Sequence, residues 1–434
     1  MDALKTFAPA MSLNVKRCES VMRVYIGLLW FYPHPPTTSL AEVTQHVQMG
    51  VNKVVKVTPE LGGTLRDGTP VRVEYTANSK VLVTCTEVPY TYVEMEKGGF
   101  SQEKYSQLFD VIPSITPDIE GLAVLRVWVF GLSCGGVAIA TATHHILGDG
   151  VAAAEIATSI GRACVDPKYE PVAMWSSRDR ELEMLLASLK GDEKVDDSYV
   201  RHLHQIIPAS GGVLQTKGRV GSYQFVLRAE SLRRLKELAM LGSKDGEEVC
   251  STNDMVVALL WRAHTRALIS HGSTSEYTYS GGPKDLRSVV GITNYLGNMI
   301  VLCPVYSTKS FVLGHGLVPV SRLIRKYTQN GSAAGLLQFI EEMANGAPDI
   351  LATLGATDSP SMAFSNMTRL PLRQVDFGMG ELGTAQLRSF YTPYISHAID
   401  DGAGGFLVNT CLPESILASF LSDEEFMSYA DRVY

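Results

Sequence analysis

The hydrophobic pattern along this chain switches repeatedly between two periods. Apolar residues recur at helical spacing over Leu40–Lys56, Gly150–Cys164, Asn253–Ser270, Leu317–Thr328, Ala333–Ala344 and Glu414–Asp431, which predicts helices there. Runs rich in β-branched and aromatic residues, bounded by turn formers, predict strands over Val21–Phe31, Val81–Val88, Ala123–Val129, Val137–His144, Met299–Val305, Ser361–Asn366, Gln386–Tyr391 and Gly405–Cys411. The helix near Asn253 carries a start signal. Ser251, Thr252 and Asn253 are cap formers, and Asp254 puts negative charge in the first turn. Strands and helices alternating from end to end predict an α/β class with mixed sheets flanked by helices.

At 434 residues the chain exceeds one ordinary core, and two or three units are expected. The stretch from Ser176 to Gly212 is charged, lacks clean periodicity and ends in a Ser-Gly-Gly turn. It reads as a connection, so the expected organisation is 1–175, a crossover over 176–212, and 213–434. His202 and His204 fall in that connection and read as surface residues.

Composition narrows the function. Hydrophobic residues make up 45% and charged residues 19%, with a formal net charge of −7. That balance disfavours a nucleic-acid binder held by phosphate contacts. The seven cysteines are widely spaced with no C-x-x-C, a pattern that fits reduced thiols and a cytoplasmic setting. The apolar run Val21–Tyr32 contains Arg23, is too short to span a bilayer and lacks a signal-peptide cleavage site. It reads as a buried strand.

The chemistry concentrates in Val137–Ala154, VAIATATHHILGDGVAAA. A buried strand runs into His144 and His145, a turn follows with Gly148, Asp149 and Gly150, and a helix of small residues begins. A histidine on a Gly-rich turn at a strand end can keep its ring free, and imidazole is abundantly neutral at pH 7. That is what a base needs to take a proton from an attacking alcohol. H-x-x-x-D also arises often by chance, and Asp149 can equally be read as a helix N-cap. His144 reads as a packed neighbour or as a residue lining a substrate channel. Paired histidines could bind a metal, but no third ligand stands at recognisable spacing, so no metal is expected.

Two other segments compete. Gly131–Gly135, GLSCG, fits the nucleophile elbow G-x-S-x-G and would make Ser133 a hydrolase nucleophile. The elbow needs a helix after the turn, whereas VAIATA reads as a strand, so a hairpin loop is the better reading. Asp376–Gly380, DFGMG, reads as a tight turn needing positive φ or close backbone approach. The glycine loop, V-A-I-K and H-R-D of kinases are all missing from the sequence.

Taken in order, these residues resemble the BAHD acyltransferases in the form common in fungi, similar to the trichothecene O-acetyltransferases. His144-His145-Ile-Leu-Gly-Asp149-Gly150 matches HHxxxDG, and DFGMG is similar to the second signature, DFGWG. Between them lie the Ser251–Arg262 helix with Trp261, Asp285-Leu-Arg287 and Tyr295-Leu-Gly297-Asn298; RVYIGLLWFYPHP comes earlier. The resemblance spans nearly the whole chain. It implies two α/β domains of the chloramphenicol acetyltransferase-like, CoA-dependent type around a central channel. It further implies acyl transfer, acetyl by default, from acyl-CoA to a hydroxyl of a small specialised metabolite. No bound cofactor, nucleic-acid partner or membrane is implied, and a monomer is expected. His145 would be the base, Asp149 would pair with Arg287 to fix the turn, and Gly150, Asp376 and Gly378 would shape the site. Met379 stands where the family usually has Trp, and a thioether cannot donate a hydrogen bond as an indole can. Either Ser365 or Thr368, or a backbone N–H, then supplies the oxyanion donor, or residue 379 only packs. A condensation-type enzyme using a carrier-protein thioester is the alternative within this resemblance, and the Ser133 hydrolase the alternative outside it.

Overall fold

The computed structural model describes residues 5–7, 23–37, 39–68, 71–116, 118–173, 219–242, 249–290, 295–329 and 361–433. The expected helix Ala333–Ala344, the connection 176–212, His202 and His204 lie outside these residues.

The strands in chain order are β1 (Lys5–Phe7), β2 (Tyr25–Tyr32), β3 (Thr64–Arg66), β4 (Arg72–Tyr75), β5 (Val83–Val88), β6 (Leu125–Leu132), β7 (Val137–His144) and β8 (Val220–Leu227). They continue with β9 (Tyr277–Asp285), β10 (Ile300–Thr308), β11 (Ser361–Asn366), β12 (Thr384–Leu387), β13 (Ile395–Asp400), β14 (Phe406–Pro413) and β15 (Asp431–Arg432). The longer helices are α1 (Leu40–Val57), α2 (Gly150–Val165), α3 (Ala229–Leu241), α4 (Thr252–Ser270), α5 (Leu317–Gln329) and α6 (Glu414–Leu421). None of the described helices is long and apolar enough to cross a membrane.

The chain forms two compact units. The first gathers 1–188, 291–299 and 370–390, and the second holds the remaining segments 189–290, 300–369 and 391–434. Both are discontinuous, which the contiguous division at 175 and 213 did not anticipate. DFGMG, placed by that division in the C-terminal domain, belongs to the first unit. The reason is a strand pairing: β12 lies antiparallel on β2, with Ala385 opposite Trp30 and Leu387 opposite Leu28.

In the first unit a five-stranded mixed sheet has the order β12-β2-β7-β6-β5. Its central strand β7 shows how sequence becomes packing. Ala138, Ala140 and Ala142 point to one face, opposite Phe31, Leu29 and Gly27 of β2 and Phe130, Trp128 and Arg126 of β6. Small residues on the middle strand leave room for the aromatic rings on its neighbours, and these residues form one buried cluster with Tyr25 and Phe109. On the other side α1 and α2 pack together over the sheet.

The second unit has a seven-stranded mixed sheet of order β10-β9-β11-β13-β14-β8-β15. One face carries Phe225, Leu227, Val408, Ala398, Met362 and Phe364 into a core with α4. That helix begins as its sequence signals. Ser251 and Asp254 form a reciprocal capping box, and Trp261 donates to Thr278 Oγ1 at 2.9 Å. The single helix expected over Glu414–Asp431 is broken. Asp423 accepts from the Phe426 backbone N–H at 2.9 Å and starts a separate short turn, and Arg266 pairs with its carboxylate at 2.7 Å. The strand expected over Gln386–Tyr391 stops at Leu387, and Tyr391 adopts a left-handed φ of 53° that an extended ladder cannot accommodate.

Candidate active site

Strand alternation assigns different roles to the two histidines. His144 is the last residue of β7 and falls on the alanine face opposite Tyr25, with the two rings edge to face at 4.8 Å. It is fully buried. Its Nδ1 accepts from the Ile146 backbone N–H at 3.3 Å, so Nε2 carries the proton and donates to Thr116 Oγ1 at 3.1 Å. Burial, with help from His145 and Arg23, pulls its pKa down to about 3, so the ring is neutral. With both nitrogens engaged and the ring enclosed, His144 satisfies the packed reading. The channel-lining and metal-binding readings find no free nitrogen here.

His145 follows on the opposite side and is only partly buried. Its Nδ1 lies 3.1 Å from Asn298 Oδ1. The amide NH₂ of Asn298 is already committed, donating to the carbonyls of His145 at 2.9 Å and Ile146 at 3.3 Å. Oδ1 must therefore face the ring as acceptor, and Nδ1 must be the protonated nitrogen. The lone pair is left on Nε2, which has no hydrogen-bond partner among the described residues. Burial lowers the imidazole pKa. The backbone carbonyl, the Asp149 charge and the Asn298 bond oppose that shift without cancelling it. The outcome is a neutral ring of fixed tautomer with one basic nitrogen free.

Asp149 is buried and faces away from His145. Its Oδ1 accepts from the Val151 and Ala152 backbone N–H groups at 3.1 and 3.2 Å, capping α2, and Oδ2 accepts from Met299 N–H at 2.9 Å. One carboxylate thus ties the histidine turn to the segment that carries Asn298. The N-cap reading was available in the sequence, but the Met299 tie was not. Gly148 serves the same junction. A Cβ there would lie 2.4 Å from Ala152 Cβ and 2.5 Å from the Leu296 carbonyl. Gly150 opens α2.

DFGMG packs against the far part of the same helix. Asp376 is exposed, and its Oδ1 accepts from Gly378 N–H at 2.7 Å. Phe377 is fully buried against Trp30, with ring centroids 5.2 Å apart, and its carbonyl accepts from His46 Nε2 at 3.0 Å. Gly378 and Gly380 have φ of 75° and 86°. A Cβ on Gly161 would lie 2.6 Å from the Asp376 carbonyl, which fixes the contact point on α2. Twelve residues of helix separate Asp149 from Gly161, roughly 18 Å at 1.5 Å per residue. Asp376 is therefore remote from the His145 turn. Met379 is buried beside it. That burial fits the reading in which residue 379 packs.

Of the remaining expected residues, Arg287, Ser365 and Thr368 lie in the second unit. Arg287 is buried and donates to Asp285 Oδ1 at 3.0 Å. Ser365 is half-buried on β11, and the Thr368 hydroxyl donates to Asn366 Oδ1 at 2.7 Å. Ser133 sits in the tight hairpin between β6 and β7, where Gly135 N–H donates to the Leu132 carbonyl at 2.9 Å. No helix follows it, and the length of β7 puts it roughly 25 Å from His145. The hydrolase alternative therefore has neither its elbow nor its base. Asn298 is the functional residue that sequence reasoning missed, although it had been placed in a Gly-Asn turn.

The model of the Transferase family matches residues 31–427. The chain belongs to this family, the BAHD acyltransferases, and is an acyl-CoA-dependent O-acyltransferase with acyl-CoA as co-substrate. It is 24% identical to taxadien-5-alpha-ol O-acetyltransferase of Taxus cuspidata over 375 residues, covering 82% of this chain and 76% of that protein. Among solved structures it is similar to TRI101 of F. sporotrichioides complexed with coenzyme A and T-2, with a TM-score of 0.78, 15% identity and full coverage of both chains. Vinorine synthase gives a TM-score of 0.71 at 18% identity, covering 94% of this chain and 91% of that one. These likenesses establish the two-domain fold expected from the sequence.

Proposed function

We propose that the acyl group is acetyl, that the acceptor is a hydroxylated specialised metabolite, and that His145 is the general base. The observation that carries this reading is the fixed tautomer of His145, with Nδ1 held by Asn298 and Nε2 open. Nε2 takes the proton of the acceptor hydroxyl as its oxygen attacks the thioester carbonyl. The tetrahedral intermediate collapses, the C–S bond breaks, and the CoA thiolate receives the proton from the imidazolium. A positioned base of this kind contributes about 10²–10⁴-fold. The relative from Taxus cuspidata is an O-acetyltransferase, and TRI101 of F. sporotrichioides is complexed with coenzyme A and T-2, which supports acetyl as the acyl group and a small-molecule acceptor. The same reading takes the chain as a fungal protein, and as a cytoplasmic monomer. Free thiols at Cys85, Cys134, Cys164, Cys250, Cys303 and Cys411 support a reducing compartment.

The test is turnover of acetyl-CoA with a panel of terpenoid, polyketide and alkaloid alcohols, read by thiol release and product mass. Acylated product from wild type and none from His145→Ala is the expected result. Equal product from both proteins removes His145 from the mechanism.

A further inference from the structure

His145 is held by its peptide as well as by its ring. The peptide plane between His145 and Ile146 is gripped at both ends by side chains. Its carbonyl, that of His145, accepts from the Asn298 amide at 2.9 Å. Its N–H, that of Ile146, donates to Nδ1 of His144 at 3.3 Å. The oxygen and the N–H of a trans peptide point in opposite directions, so two grips fix the rotation of the plane where one would let it tilt. Asn298 is shared between peptide and ring, since the amide that holds the carbonyl also presents Oδ1 to the imidazole Nδ1 at 3.1 Å. A tilt of the peptide is therefore passed to the partner of the ring.

The second grip depends on the tautomer of His144, and two observations agree on it. Thr116 has one hydroxyl proton, which it donates to the Arg23 carbonyl at 3.0 Å. Its oxygen can then meet the His144 ring only as an acceptor, so the proton sits on Nε2, 3.1 Å away. The lone pair is left on Nδ1, where the Ile146 N–H needs it. Thr116 is itself pinned, because its backbone N–H donates to the same Arg23 carbonyl at 2.8 Å. The His144 ring is 0% exposed and packs edge to face on Tyr25. The backbone N–H groups of His144 and His145 are committed as well, to the Val124 and Val24 carbonyls at 2.8 Å each. All of these residues belong to the first unit.

We infer that His144 is a positioning residue for the acyl transfer, acting through the His145–Ile146 peptide, with Thr116 setting its tautomer. Two tautomers are thereby fixed in series. Thr116 fixes that of His144, and the gripped peptide, through Asn298, steadies that of His145. This rests on the reading of His145 as the base.

The experiment compares His144→Asn with His144→Gln. Both remove the ring from Tyr25. An asparagine Oδ1 accepts from the N–H two residues on, as in an Asx turn, so it replaces the Nδ1 acceptor. The glutamine amide reaches toward Thr116 instead, in place of Nε2, and leaves the Ile146 N–H without its acceptor. Both variants should lose melting temperature to a similar extent. His144→Gln should lower kcat about tenfold with KM for acetyl-CoA unchanged, whereas His144→Asn should keep kcat within about threefold of wild type. Thr116→Val, which leaves the ring in place, should lower kcat about threefold. A second readout needs no turnover: nitrogen NMR shifts of histidine-labelled protein should show His145 protonated on Nδ1 in wild type and His144→Asn, and as a mixture of tautomers in His144→Gln. Equal kcat per folded molecule in the two His144 variants, with the His145 tautomer unmoved, overturns the inference and leaves His144 a packing residue. A His145→Ala protein as active as wild type sinks the base reading instead, and the role of His144 in acyl transfer with it, whatever the nitrogen shifts show.

Discussion

Two glycine-rich turns abut helix α2, one at its N-terminus and one near its far end, and they treat their polar atoms in opposite ways. In the HHILGDG turn nearly every group is committed so that one atom stays free. Asp149 caps the helix and holds Met299, Asn298 holds two carbonyls and Nδ1, and Nε2 of His145 is left open. In DFGMG the commitments close the turn on itself. Asp376 binds Gly378, Phe377 binds His46 through its carbonyl and fills the space beside Trp30, and Met379 is buried. A conspicuous motif can thus mark a reactive atom or a well-packed wall. What separates them is whether any polar atom remains unspent.

The sharpest break of this contrast is His145→Ala. It should lower kcat/KM by about 10³-fold while leaving thermal unfolding nearly unchanged. Phe377→Ala should do the reverse, costing about 3–5 kcal/mol of stability by denaturant titration with kcat per folded molecule preserved. If Phe377→Ala abolished turnover in fully folded protein, DFGMG would have to take part in the chemistry. Asn298→Ala probes the tautomer lock. Its loss frees the imidazole to place the proton on either nitrogen, and kcat should drop about 10- to 100-fold with little change in KM for acetyl-CoA.

The pH profile refines the same point. Burial holds the His145 pKa below that of a free imidazole. The acid limb of kcat/KM should therefore fall below pH 6.5, since the ring remains neutral and basic where a free imidazole is already half protonated. Stability follows its own sign. His144 has a folded pKa of about 3, so between that value and about 6.5 the unfolded chain binds a proton that the folded chain refuses. Stability from this group is complete above pH 6.5 and is lost as pH falls, by about 1.4 kcal/mol per unit, and a shallower acid slope in His144→Gln checks it. The smallest effect belongs to Ser133→Ala, which should leave turnover and melting temperature at wild-type values.

Much of the first unit could be read from alternation alone. VAIATATH ends as a strand at His144, as expected, and the same two-residue period places His144 with the alanines and His145 on the other side. The cap at Ser251 and the start of the Gly150 helix were equally local and equally readable. Short strands β1, β3 and β4 were missed because three or four residues carry too little pattern. The charged helix α3 was missed because its Arg, Lys and Glu residues mask a narrow apolar stripe of Leu232, Leu235 and Ala239.

By itself, the sequence determined many of the element types, the order of the motifs and the chemistry that a histidine on a glycine turn can do, because these follow from local periodicity and side-chain type. Tertiary structure decided which nitrogen of His145 is basic, since that depends on Asn298, 153 positions away. It also decided that DFGMG joins the first unit, through a strand pairing invisible to local pattern. Strand register in the seven-stranded sheet belongs to the same class of fact, because it is set by which faces bury, and only the folded sheet places Ser365 opposite His397, His397 opposite Asn409 and Asn409 opposite Gln224.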